Sequence, residues 1–297
     1  MTSDITTSMP FTPVSLGMKD RMEAVRRSSG STLYTYTFAS LFAWQDSAGY
    51  RVCLSDGAFV VLDASRGEQA YLFPCGTEEG RLRLLDALLE GGSPAFYCVT
   101  DADRAFLERE YPDRFAFTDC RDDYPYLYDR DAQIALRGKE YKNLRHQIHL
   151  GRDVAKVWTT EPLCAATLDR ALRINAAWAE ARSMQDLADT AAAETALRHF
   201  PDLDLWGLLF VADGRDIAYA AGTFVTPEIF DIAFCKVLDS ACDCYIKWAL
   251  YSALPPEVRT IDSEEDMGLP GLRTHKLLRR PKSLVRVWKA TPKGTRS

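Results

Sequence analysis

Two Asp-Gly turns, one in each half of the chain, constrain the fold most. Ser55-Asp56-Gly57 separates the apolar runs 51–54 and 58–62, and Asp213-Gly214-Arg215 separates 205–212 from 217–225. Glycine reaches the positive φ of a tight hairpin turn, so each pair of runs is expected to fold back as two antiparallel strands. A third extended run follows each hairpin, at 71–74 and 229–237, and then a segment of helical period. Residues 78–90 place Leu82, Leu85, Leu88 and Leu89 on one side and end at Gly91-Gly92, and 243–254 end at Pro255-Pro256. Further strands are expected at 95–99, 114–118, 155–158, 258–261 and 284–288, and further helices at 18–30, 101–111, 162–182 and 186–200. The aromatic run 33–44 reads as a short helix packed into the first half. The fold class is α+β: two halves, each a mixed, mainly antiparallel sheet flanked by helices. The recurring hairpins suggest an internal duplication. The expected boundaries are a first domain over 1–128, a connecting helix over 129–151 broken near Gly138, and a second domain over 152–297.

Composition narrows the class. A chain of 297 residues with 47% hydrophobic content is a globular protein of one large or two ordinary domains. No apolar run is long enough to cross a bilayer, and residues 1–10 have neither the basic start nor the apolar centre of a secretory signal. The expectation is a cytoplasmic protein without an integral membrane segment. The eight cysteines are scattered, and Cys242-Asp243-Cys244 has neither zinc-knuckle spacing nor a nearby histidine in sequence. They read as buried thiols rather than disulfides or metal ligands, so no metal is expected.

Charge is uneven. The net charge is −6, yet residues 267–297 hold nine Lys or Arg and no acid, which leaves 27 bases against 42 acids in the rest. Ahead of that basic segment stand Asp262, Glu264, Glu265 and Asp266, then Gly268, Pro270, Gly271, Arg273 and Lys276. Clustered carboxylates repel one another and favour solvent or a cationic partner. Pro270 suits the first turn of a helix, expected over 270–278, with Arg273 and Lys276 three residues apart on one face. The amides at its start could hold an anion, while a solvated loop with a helix cap is an equal reading of the same residues. A second candidate is the cationic stripe Lys139, Lys142, Arg145, His146 and His149, which is otherwise a solvated helix face.

Three stretches carry a resemblance. Asp262-x-Glu264-x-Asp266-x-Gly268-x-x-Gly271-Leu272-Arg273-x-x-Lys276 resembles the C-terminal signature of the phosphatidylglycerol lysyltransferase C-terminal-domain family. Tyr36-Thr37-Phe38 through Leu41 to Trp44 resembles its early aromatic stretch, and Leu136 to Ile148 its central Gly-Lys-x-Tyr helix. The resemblance implies two tandem GNAT-like (acyltransferase) domains and an aminoacyl group moved from aminoacyl-tRNA to an amine or hydroxyl acceptor, a small molecule or lipid headgroup, in a cleft between them. Asp262, Glu264 and Lys276 would be catalytic. Asp266, Gly268, Gly271, Arg273, Lys139, Lys142, Arg145 and His146 would bind substrate. Coenzyme A is not expected, because the place for a glycine-rich pyrophosphate loop, Leu238 to Cys244, has no glycine and two Asp. A non-catalytic ligand-binding protein and a CoA-dependent enzyme with an unconventional phosphate site are the alternatives.

Overall fold

The computed structural model describes residues 9–180 and 187–294. It separates into two compact units. The first comprises residues up to Ser31, Trp44–Asp119 and the residues from Val287 on; the second comprises Thr32–Ala43 and Cys120–Arg286.

In the first unit, helix α1 (Lys19–Ser28) and the end of α2 (Phe38–Ala48) precede strands β2 (Tyr50–Ser55), β3 (Ala58–Asp63) and β4 (Ala70–Gly76), with the short β1 (Thr12–Pro13) on the edge. Helix α3 (Glu78–Gly91), β5 (Ala95–Thr100), α4 (Asp101–Glu110) and β6 (Phe115–Asp119) follow. Gly57 takes φ +74 at the first expected hairpin turn. Both helices start on side-chain caps: Thr77 accepts from the Gly80 amide, and Thr100 and Asp103 form a reciprocal capping box. The core packs Phe73, Phe96, Leu85, Leu107 and Trp288.

The second unit contains β7 (Tyr126–Asp129), α5 (Arg130–Ala135), α6 (Lys142–Arg152), β8 (Trp158–Pro162), α7 (Leu168–Glu180), α8 (Leu187–Arg198), β9 (Trp206–Ala212), β10 (Arg215–Thr226), β11 (Ile229–Val237), α9 (Asp243–Ala253), β12 (Thr260–Asp262), α10 (Pro270–Leu278) and β13 (Ser283–Leu284). The ends of the two helices expected around 182 and 186 lie outside the described residues. Asp213 and Gly214 take φ +46 and +77, the pair of left-handed residues that a type I′ hairpin turn requires. Tyr126, Tyr128, Phe210, Phe230, Ile246, Leu250 and Ile261 form the core.

Among the described residues each sheet has seven strands and one parallel pair. The first runs β1-β2-β3-β4-β5-β14-β6, with β4 and β5 parallel; the second runs β13-β7-β12-β11-β10-β9-β8, with β11 and β12 parallel. The order of antiparallel strands, helix and parallel strand therefore recurs in both units. Strand β14 (Val287–Pro292) pairs with β5 and β6 in the first sheet, although its place in the chain suggested the second. Conversely β7, most of which falls within the expected first domain, pairs with β12 and β13 in the second sheet. The aromatic run, expected in the first half, also belongs to the second unit in all but Trp44. Local pattern makes a strand, but only long-range pairing decides its sheet.

Candidate active site

Strands β11 and β12 run side by side for three residues, ending at the pair Asp231 and Asp262. There β12 stops, while β11 continues to Val237. Gly222 on β10 makes this corner possible: a Cβ there would lie 1.8 Å from the Asp231 carbonyl oxygen.

Asp231 and Asp262 are both buried. Neither Asp231 carboxylate oxygen has a hydrogen-bond partner among the described residues. Burial, reinforced by the charges of Asp262 and Glu265, pushes the Asp231 carboxyl well above its ordinary range. Burial also lifts Asp262 to about 7, against the Glu264 amide and the Lys276 charge. The Glu264 amide donates to Asp262 Oδ1 at 2.9 Å. Glu264 itself sits at φ +57, and burial and the Asp231 charge raise its carboxyl as well. Glu265 accepts a hydrogen bond from the buried Tyr34 hydroxyl. Among the described residues Lys276 is the cation that acts on these carboxyl groups. Lys276 is buried, and its Nζ donates to the carbonyls of Ser263 and, at 3.2 Å, Glu264. Burial lowers the Lys276 pKa against the pull of the acids. Buried carboxyl groups in excess of cations either keep protons or take a cationic ligand.

Asp266 has a different role. It is fully buried and accepts from Arg273 Nε at 2.9 Å, Tyr126 Oη at 2.5 Å, Arg121 Nη1 at 3.2 Å and the Gly268 amide at 2.9 Å. Burial opposes its charge, but these donors hold its carboxyl well below the usual range. Arg273 also pairs with Asp122 at 2.6 Å. Gly268 takes φ +71, with the Asp122 carboxylate 2.8 Å from where a Cβ would be. Gly271 is exposed in the first turn of α10. Asp266, Gly268 and Arg273, expected to bind substrate, are thus bound to one another and to Arg121, Asp122 and Tyr126.

The stripe on the connecting segment is interrupted. Helix α5 ends at Leu136 in the left-handed conformation, and Gly138 at φ +91 completes the break. Arg145 donates to the carbonyls of Leu136 and, at 2.7 Å, Gly138, so it caps that break. Lys139, Lys142 and His146 remain exposed, while Leu144 and Ile148 face inward.

A cavity of about 540 Å³ opens at the β11–α9 junction, lined by Gln147, Trp178, Cys235, Asp243, Lys247 and His275 among others. Asp243 Oδ1 is 2.8 Å from Lys247 Nζ, and its Oδ2 is 2.9 Å from His275 Nε2. Burial opposes the Asp243 charge, but Lys247, His275 and Arg279 keep it ionised. The Asp243 hydrogen bond favours protonated His275, yet burial and the Lys247 charge prevail and lower its pKa.

The structure thus brings Asp262, Glu264 and Lys276 together. Sequence reasoning missed Asp231 and Tyr34 as their neighbours, and gave Glu265, though in the same cluster, no role. A lone acid inside the apolar run Ile229-Phe230-Asp231-Ile232 was the available signal, since an unpaired charge on a central strand needs a reason.

Comparison with known proteins can now be set beside this geometry. The profile of the family described as phosphatidylglycerol lysyltransferase, C-terminal, matches residues 26–290. The chain belongs to this family. Each of its two units is a mixed, mainly antiparallel sheet flanked by helices, of the α+β class. It is similar to a conserved protein of unknown function from Bacteroides thetaiotaomicron, at 25% identity over 96% of this chain and 100% of the other, with a TM-score of 0.87. It is also similar in fold to the L-PGS of Bacillus licheniformis, at 13% identity over 94% of this chain and 92% of the other, with a TM-score of 0.64. No curated protein matches the sequence. The stretch that resembles the family's C-terminal signature forms the turn after β12 and α10, where Asp266, Arg273 and Lys276 hold the acidic turn in place. No described helix is long and apolar enough to cross a membrane.

Proposed function

We propose that the chain is an aminoacyltransferase that moves an aminoacyl group from aminoacyl-tRNA to an amine or hydroxyl acceptor. The observation that carries this reading is the buried acidic corner at Asp231 and Asp262, where four carboxyl groups face one lysine. An aminoacyl ester brings an α-ammonium group, and a corner short of positive charge is suited to it. In this reading Asp231 and Glu265 hold the ammonium. Asp262, with a pKa near neutrality, takes the proton of the attacking acceptor as the new bond to the carbonyl carbon forms. The ester C–O bond then breaks, and the tRNA oxygen leaves as a hydroxyl with the proton that Asp262 returns to it, which restores the carboxylate. Lys276, committed to two backbone carbonyls, holds the acidic turn in register. The exposed Lys139, Lys142 and His146 offer a basic surface to tRNA phosphates. Membership of the family supports acyl transfer, and the Ala241 amide taken by Asp239 at the β11–α9 junction weighs against coenzyme A as donor.

The test incubates the full chain with a mixture of radiolabelled aminoacyl-tRNAs and a panel of amine and lipid-headgroup acceptors. The expected result is label moved to one acceptor, lost in Asp231→Asn. No transfer from any aminoacyl-tRNA, with ester loss no faster than in buffer, overturns the reading.

A further inference from the structure

We propose that Asp243, Cys244 and His275 form a Zn²⁺ site in the wall of the cavity at the β11–α9 junction. This site uses none of the residues of the acidic corner, so it stands or falls apart from the aminoacyl-transfer reading. Asp243 and Cys244 are the first two residues of α9, and His275 reaches them from α10. One ligand atom from each of the three lies within 4.8 Å of the others. His275 Nε2 faces two of them at once, Asp243 Oδ2 at 2.9 Å and Cys244 Sγ at 3.9 Å. One ring nitrogen can share only one proton, so hydrogen bonding leaves the longer contact unused, whereas a cation between the three atoms engages both. Tetrahedral Zn²⁺ with its usual bond lengths sets N···O at about 3.3 Å and N···S at about 3.6 Å. The two histidine separations bracket these values, and the Asp243–Cys244 pair, within 4.8 Å, has to close to about 3.6 Å around the ion.

Three features suit the site to a metal. The donor set of imidazole, carboxylate and thiolate is of the kind that zinc prefers. The outer partners are in place: Lys247 Nζ holds Asp243 Oδ1 at 2.8 Å and reaches Oδ2 at 3.1 Å, and the Cys244 thiol donates to Gln147 Oε1 at 3.1 Å, so metal entry releases the thiol proton and a half-turn of the Gln147 amide presents its Nε2 to the thiolate. All three ligands line the cavity, which provides an entry path and a direction for a fourth ligand. Charge specifies that ligand. Thiolate and carboxylate cancel Zn²⁺, while Lys247 and the buried Arg279, whose Nη2 is 3.9 Å from Asp243 Oδ2, remain in excess. The fourth position therefore favours an anionic oxygen, hydroxide or carboxylate. Sequence spacing hid this site, because the histidine comes thirty-one residues after the cysteine.

The experiment strips the full chain with a chelator and titrates it with Co²⁺. The expected result is one Co²⁺ per chain with a near-ultraviolet thiolate-to-cobalt charge-transfer band, abolished by added Zn²⁺. Cys244→Ser removes the band, and Cys164→Ser, which changes an exposed thiol elsewhere, retains it. His275→Gln weakens binding by more than the roughly 10–100-fold that loss of an outer partner costs, and it serves as the test if Cys244→Ser does not fold. Absence of the band in the wild-type chain, or its survival in folded Cys244→Ser, overturns the proposal.

Discussion

Replacing Asp262 by Asn tests whether the acidic corner is held for function at the expense of stability. A carboxyl that ionises near pH 7 in the folded chain and near 4 when unfolded gives up roughly 4 kcal/mol on becoming charged. The sign follows from the raised folded value: below about pH 4 the group is protonated in both states and there is no cost. Between pH 4 and 7 the unfolded chain ionises first, so native stability falls, and above 7 the loss is constant. Asparagine cannot ionise, and its Oδ1 can still accept from the Glu264 amide. Asp262→Asn should therefore melt like the wild type at pH 4 and progressively above it up to pH 7, with a plateau beyond. At roughly 2–4 °C per kcal/mol for a domain of this size, the plateau difference is on the order of 10 °C. Calorimetry across pH 4–9 reads this directly, alongside transfer activity, which should fall. A melting difference independent of pH, or a variant less stable than wild type at pH 8, refutes the reasoning.

Three other substitutions probe the supports of the site. Asp266→Ala should destabilise by roughly 3 kcal/mol or more, because it strips a buried carboxylate from Arg273 and Arg121, and denaturant titration at pH 7 measures it. Since the folded Asp266 value is depressed, its contribution is present above pH 4 and vanishes as pH falls, so the variant and wild type should converge in acid. Gly222→Ala should cost more than about 3 kcal/mol, since its Cβ meets the Asp231 carbonyl of the neighbouring strand; melting within a few degrees of wild type contradicts this. Lys142→Gln should reduce the slope of log K for tRNA against log salt by roughly 0.7–0.9, read by filter binding at several ionic strengths.

The elements were legible because their signals are local. The Asp213-Gly214 turn, the leucine face of α3 and Pro270 at the start of α10 each depend on a few adjacent residues. The placement of β14 and β7 was not legible, because both are ordinary extended runs whose partners lie far away in sequence. The same distinction holds for the site. Asp262, Glu264 and Lys276 were readable as a charge cluster within one stretch. Asp231 joins them only through strand pairing, and His275 meets Cys244 only through the packing of α10 on α9. Arg145 shows the opposite error. Spacing put it on a cationic stripe, but the unpaired carbonyls at the end of α5 claim it.

The β11–α9 junction decides between donors. A pyrophosphate site there needs free backbone N–H groups pointing at the ligand and no competing negative charge. Asp239 Oδ1 instead accepts from the Ala241 amide at 2.9 Å, consuming a donor that a phosphate would use. Asp243 adds a second carboxylate in the first turn of α9, kept ionised by Lys247 and His275. Because Lys247 already neutralises Asp243, the obstacle to a phosphate at this turn is the amide that Asp239 has taken rather than net negative charge. Coenzyme A at about 1 mM should therefore shift the melting temperature by less than about 1 °C, since a ligand well below its dissociation constant stabilises negligibly. A shift of several degrees that disappears in high salt would restore a CoA-dependent reaction and displace tRNA as the donor.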